Sequence, residues 1–164
     1  DVHLFWGDHP DRVAENIEQI RQLAAKYGRA DEIGFGMRLQ IICREQEGDA
    51  WAAADDLIRH ADAEFRKEVS GRFQNSVANR RMQELSDQDL IIPHLWTGIT
   101  KVRPGAGIAI VGDPEQCAAT LQKFIDIGCH SFCLSGYLHD EEAERFSRLV
   151  LPLLRAKNPQ AMAT

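Results

Sequence analysis

Ile33-Gly-Phe-Gly-Met-Arg-Leu-Gln-Ile-Ile-Cys43 is the stretch that decides the fold: eleven residues, mostly apolar, with no helix punctuation, reading as a strand. Period two places Phe35, Met37, Leu39 and Ile41 on one face and Gly36, Arg38, Gln40 and Ile42 on the other. A parallel strand buried on both faces is a near-continuous apolar run, so Arg38 and Gln40 need a reason. In a closed ring of strands the first face meets the helices and the second points inward. A buried guanidinium is costly unless an anion or several acceptors meet it. Two readings stay open for Arg38. One is an ion pair with a resident carboxylate, and the other is contact with an anionic substrate, which the planar fork of arginine suits.

Outward from this strand, strands and helices alternate. Val2 to Trp6 reads as a strand, and Gly7-Asp8-His9-Pro10 leads into a helix with Val13, Ile17, Ile20 and Leu23 at helical spacing. Gly28 stands where a left-handed cap is expected. Asp49 to Val69 is a second helix, with Trp51, Ala54, Ile58, Ala61 and Phe65 on one face. Ile108 to Val111 is a strand, and Asp113-Pro-Glu-Gln116 has capping-box spacing ahead of a helix reaching Gly128. His130 to Ser135 is the last strand. Glu141 to Leu154 is the last helix, with Ala143, Phe146, Leu149, Val150 and Leu153 inward.

Four β-α units with short connections predict an α/β fold with a parallel sheet covered by helices. No strand precedes a G-x-G-x-x-G turn, which removes the dinucleotide-binding fold. A complete (β/α)8 barrel needs about 250 residues, so 164 residues predict half of a TIM-type barrel. Residues 1–154 form this partial barrel and 155–164 a tail. A chain that opens at Asp1 inside a strand reads as a piece of something longer.

Between Ser70 and Gly107 the pattern loosens into polar, loop-like sequence, an insertion after the second strand-helix unit. From Arg66 to Arg103 it carries seven Lys/Arg against four Asp/Glu, in a chain whose formal charge is −6. Basic loops of this length are candidates for a lid or an anion-binding segment, or are simply solvated. Arg103 stands out because it lies where the insertion rejoins the scaffold. Trp96 either anchors the insertion or walls a pocket. Ser135-Gly-Tyr-Leu-His139 follows the last strand, where a barrel places its active site. Tyr137 and His139 can donate hydrogen bonds or carry protons there, or serve packing and capping.

The acidic balance weighs against nucleic acid as a partner. No apolar run is long enough for a membrane helix. Cys43, Cys117, Cys129 and Cys133 lie mostly in apolar runs and read as reduced core thiols of a cytoplasmic protein, and no His or Cys spacing predicts a metal.

Three strings, FGMRLQIICRE (Phe35–Glu45), LWTGITKVRPGAGIAIVGDP (Leu95–Pro114) and LSGYLHDEEAERF (Leu134–Phe146), resemble the C-terminal half of the bacterial alkanesulfonate monooxygenases, flavin-dependent enzymes of the luciferase-like class. The likeness runs in order to about Leu154. It implies a TIM-type barrel with a mobile lid over 70–107. It further implies a two-component reaction in which a separate NAD(P)H-dependent flavin reductase supplies reduced FMN. With dioxygen, the alkanesulfonate is then cleaved at its C–S bond to sulfite and an aldehyde. By the resemblance, Arg38 and Arg103 are catalytic and bind the sulfonate, with Gln40 and Trp96 also in the substrate site. Tyr137 and His139 are catalytic and contact the flavin. A homo-oligomer is implied for the full-length form.

Gln40 departs from the family, which commonly has histidine there, so no proton is carried at that position. The departure leaves room for a sibling enzyme acting on sulfones or other organosulfur compounds. A non-catalytic half-barrel module is the reading from a different class. The upstream strands, which in the family hold much of the flavin site, are not in this chain, so the chain alone is expected to bind reduced FMN weakly and to be inactive by itself.

Overall fold

The computed structural model describes residues 1–60, 76–103 and 105–159. Predicted features at Ala61, Phe65, Arg66, Lys67, Arg72 and Pro104, the end of the second helix at Val69, and residues 160–164 of the tail lie outside them. The elements in chain order are β1 (Val2–Trp6), α1 (Pro10–Ala25), β2 (Gly34–Cys43), α2 (Glu47–Ile58), α3 (Val77–Ser86), β3 (Leu90–Ile92), β4 (Leu95–Trp96), β5 (Ala109–Gly112), α4 (Pro114–Asp126), β6 (Cys129–Ser135), α5 (His139–Arg145) and α6 (Leu151–Lys157). A π-turn at Phe146–Val150 joins the last two helices. This is an α/β fold whose curled, incomplete sheet, flanked by helices, is part of a TIM-type barrel.

Local chemistry explains the boundaries. His9 caps α1 and Pro10 begins it, where a missing N–H costs nothing. The helix closes on Gly28, whose φ of 69° admits the turn in which Gly28 N–H donates to Ala25 O and Arg29 N–H to Ala24 O. At α4 the capping box is complete: Gln116 N–H donates to Asp113 Oδ1, and Asp113 N–H donates to Gln116 Oε1, both at 2.9 Å. α2 starts at Glu47, two residues ahead of the expected Asp49.

β2 is the hub. β1 pairs in parallel with Gly34–Arg38 and β5 with Gln40–Cys43. Gly34 N–H donates to Asp1 O and Gln40 N–H to Ile108 O, so both neighbours lie along the even-numbered edge of β2. β6 pairs in parallel with Phe35–Gln40. The far edge of β5 is taken by antiparallel β4, with Val111 N–H donating to His94 O. On the odd face, Phe35, Met37, Leu39 and Ile41 sink into the main core with Val13 and Ile17 of α1 and Leu121 and Phe124 of α4. On the even face Ile42 joins a smaller core with Ala109, Val111, Ala50, Ala54, Trp96 and Ile99.

The loop-like reading of the insertion is corrected: its described part holds a helix and an antiparallel strand pair. α3 forms because Ser76 Oγ caps Asn79 N–H and because Met82 and Leu85, three apart, reach the main core. The last helical segment also extends to Lys157, into the predicted tail, and Ala143 faces solvent. Among the described residues no helix is long and apolar enough to cross a membrane.

Candidate functional site

Register brings the site together. Gln40 stands level with Ala109 on one edge of β2 and with Ser135 on the other. Tyr137 and His139 follow just beyond Ser135, and Arg103 comes shortly before Ala109. The two ends meet: Arg103 Nη1 donates to Tyr137 Oη at 2.9 Å. The Tyr137 and His139 rings lie 6.3 Å apart, tilted by 55°. Tyr137 is 37% exposed and Arg103 half-buried, so a solute reaches both. No carboxylate pairs with Arg103 among the described residues, which leaves guanidinium donors free for an incoming acceptor.

Gln40 lies beneath this cluster, 1% exposed, with Nε2 donating to Ala106 O at 3.3 Å. That bond fixes the segment between Arg103 and β5. Trp96 is buried edge-on against Trp51, ring centroids 6.4 Å apart, and so anchors the insertion on α2. The structure thus gathers Arg103, Tyr137 and His139, sets Gln40 below them and holds Trp96 in the small core.

The expected burial of Arg38 is corrected. It shares the even face with Gln40 but is exposed, and no carboxylate meets it among the described residues. The reason is its level on the sheet: it pairs with Trp6 of β1 and Cys133 of β6, below the height at which α2 and β4 cover that face. Leu4 and Cys133, exposed on the same face, show that nothing in the described chain packs there.

The insertion is tied down by charge. Arg81 Nε and Nη2 donate to the two oxygens of Asp8, both at 2.7 Å, and this hydrogen bonding raises the Arg81 pKa. Gly105 N–H donates to Asn79 Oδ1 at 3.1 Å, which links α3 to the segment carrying Arg103. Lys101 Nζ donates to Asp89 Oδ1 at 2.6 Å and holds that carboxyl below its ordinary range.

Sequence reasoning missed Glu142, and only its position shows its role. It is 2% exposed, and its Oε1 accepts from Arg44 Nη1 and Arg145 Nη1, each at 2.7 Å. Arg44 follows β2 and Glu142 sits in α5, so the trio ties the end of β2 to the segment bearing Tyr137 and His139. The one available signal was Gly136: a Cβ there would overlap Cβ and Cγ of Glu142. Cys43, Cys117 and Cys129 are buried free thiols, while Cys133 is exposed. Burial pushes the Cys129 thiol up to about 11.

A family profile described as luciferase-like monooxygenase matches residues 1–131. Among solved structures, the chain is similar to DmoA from Hyphomicrobium sulfonivorans, with a TM-score of 0.72 and 18% identity over 96% of this chain and 37% of that one. It is similar to a long-chain alkane monooxygenase, LadA, with a TM-score of 0.68 and 17% identity over 96% of this chain and 37% of that one. It also resembles a riboflavin lyase, RcaE, solved with modified FMN and its substrate riboflavin, with a TM-score of 0.64 and 18% identity over 96% and 39%. The chain therefore spans less than two-fifths of the length of these structures, and at such identities the likeness is one of fold.

Proposed function

We propose, from the premise that the chain belongs to the luciferase-like monooxygenase family, that it forms part of a flavin-dependent monooxygenase acting on a sulfone or another organosulfur compound. The observation that carries this reading is the convergence of Arg103, Tyr137 and His139 on an accessible rim, with no carboxylate on the guanidinium among the described residues. A sulfur–oxygen group is dipolar or anionic and presents its oxygens to such a donor set. The same donors suit reduced FMN, whose polar and anionic edges need cationic and hydroxyl partners. When bound, FMN supplies the electrons that activate dioxygen.

The chain's own residues do the rest. Arg103 orients oxygens at the rim, Tyr137 holds a proton at Oη within reach of them, and His139 offers a second polar contact. Gln40 fixes the approach to Arg103 through Ala106 and stays uncharged throughout. The insertion over 70–107 serves as a lid, anchored by Trp96 and held in place by Arg81 and Asn79, with Arg103 its contribution to the site, and it excludes water. Reduced FMN comes from a separate NAD(P)H-dependent reductase in the cytoplasm, and the full-length protein assembles as a homo-oligomer.

Alkanesulfonate cleavage to sulfite and aldehyde is the second reading. Arg38, on the open face near Gln40 and without an ion-pair partner among the described residues, favours it as a further sulfonate contact. Full-length enzyme with a flavin reductase, assayed on sulfones, sulfides and sulfonates, separates the two. The first reading expects substrate-dependent oxygen uptake with sulfones or sulfides and no sulfite from sulfonates. Sulfite release from sulfonates selects the second. Arg103→Ala is expected to lower kcat/KM by about 10²–10³-fold. Absence of substrate-stimulated oxygen uptake across the panel removes both and leaves a non-catalytic module.

A further inference from the structure

A trough of about 700 Å3 runs between β6 and the helices α4, α5 and α6, within the range of about 300 to 1,000 Å3 typical of small-molecule pockets. Its walls take residues from Gly128, just before β6, to Gly136, just beyond it. β6 has seven residues, so at the usual rise per residue the trough is about 20 Å long. A space of that shape suits one unbranched chain better than a compact ring. The walls are apolar along this length, with Ile41, Leu121, Phe132, Leu134, Phe146 and Leu154 among them. Phe132 and Leu134 are only half-buried, so they have apolar surface left to cover.

The two ends differ in charge. At the His139 end, Glu142 lies between Arg44 and Arg145, and Arg145 also pairs with Glu141, so the charges there balance. Arg155 of α6 lines the opposite end. It is held there through Asn158, one turn on. Asn158 Nδ2 donates to Gln122 Oε1 at 2.8 Å, and Gln122 Nε2 donates to Asn158 Oδ1 at 3.2 Å. Gln122 is one turn from the end of α4, which leads through Gly128 into β6. Arg155 itself makes no hydrogen bond or ion pair among the described residues. Asp126, the acid that ends α4, accepts from Gln122 Nε2 at 2.8 Å instead. Lys157 is a second cation in the same turn, and the pair outweighs the partial negative charge of the helix end.

We infer that this trough binds a medium-chain fatty carboxylate, with its two oxygens on the Arg155 guanidinium and its alkyl chain along Leu154, Phe132, Leu134 and Phe146 toward the His139 end. The planar fork of arginine matches the paired oxygens of a carboxylate, and the apolar walls take up the chain. A cationic head is repelled at the same place. The site uses neither flavin nor turnover, so it stands or falls apart from the monooxygenase reading.

Calorimetric titration of the 164-residue chain with dodecanoate and with dodecyltrimethylammonium, both below their micelle-forming concentrations, tests it, because the two share a chain and carry opposite heads. Saturable binding is expected, with dodecanoate about tenfold tighter, since one head is attracted and the other repelled. From octanoate to decanoate to dodecanoate, each added pair of methylenes is expected to tighten binding about tenfold. Arg155→Glu, at an exposed position, reverses the preference so that the cationic amphiphile binds tighter. Leu134→Trp fills the trough and abolishes binding of both. A lack of saturable binding overturns the proposal, as do equal affinities for the two heads, an unchanged preference in Arg155→Glu, or binding that survives Leu134→Trp. The head preference of the unaltered chain decides the matter even if either variant fails to fold by circular dichroism.

Discussion

The two faces of β2 belong to one strand and obey different rules. On the odd face every residue from Phe35 to Ile41 is apolar and fully buried against α1 and α4. On the even face the fate of each residue depends on its height. Ile42 and Gln40 are covered by α2, β4 and the Ala106 segment, while Arg38, one step lower, meets water. Apolar pattern settles a face that helices cover along its whole length. A face covered in part is settled by whichever element reaches each level.

The strongest attack on this contrast is Phe35→Ala. Phe35 is fully buried, stacks on Phe5 with ring centroids 6.0 Å apart and carries the Arg21 guanidinium over its ring, so the loss is expected near 3–5 kcal/mol of stability, measured by urea denaturation. A variant as stable as the parent would show the odd face to be loosely packed. Gln40→Ala tests the covered part of the other face. It leaves a void and orphans Ala106 O, and is expected to cost about 1–3 kcal/mol with a looser Arg103 segment in hydrogen exchange.

Cys129 pairs with Phe35 in register and tests burial through pH. Its folded-state pKa, about 11, lies above the ordinary value of 9.0. The unfolded chain therefore loses the thiol proton first. The stability that comes from keeping the thiol neutral is complete below about pH 9 and lost as pH rises through 11. The urea midpoint should fall over that window, and Cys129→Ala should flatten the fall relative to the parent. An identical slope in both proteins would exclude this thiol as the cause.

Arg38→Gln is expected to do least to stability, within about 0.5 kcal/mol, since the side chain is exposed and without an ion-pair partner among the described residues. A larger loss would reveal a partner for the guanidinium. In the full-length enzyme the same variant separates stability from chemistry, because the sulfonate reading expects KM for a sulfonate to rise while the thermal midpoint holds.

The legible parts share a property: their cause lies within a few residues. The four parallel strands, the capping box at Asp113 and the left-handed Gly28 were all readable because alternation, cap chemistry and a glycine's freedom act locally. α3 was not, since Asn79, Arg80 and Arg81 dilute its apolar positions, and Met82 and Leu85 matter only once the main core is there to receive them. Tyr137, His139 and Arg103 could be singled out one by one at strand and insertion ends. The contact of Arg103 with Tyr137 at 2.9 Å could not, because it depends on two segments flanking β2 at the same height. Glu142 was hidden for the opposite reason: in an acidic stretch opening a helix it reads as a solvated residue, yet Arg44, just past the end of β2, draws it inward.

By itself the sequence determined the β-α alternation, the apolar odd face of β2 and the polar residues that do not belong in a core, since periodicity and backbone chemistry need no distant partner. Tertiary structure alone decided that β1 and β5 share one edge of β2, that Arg38 is left in water while Gln40 is sealed, and that Glu142 is buried against Arg44 and Arg145. Those outcomes rest on which surface arrives at which height, and that is a property of the packed chain.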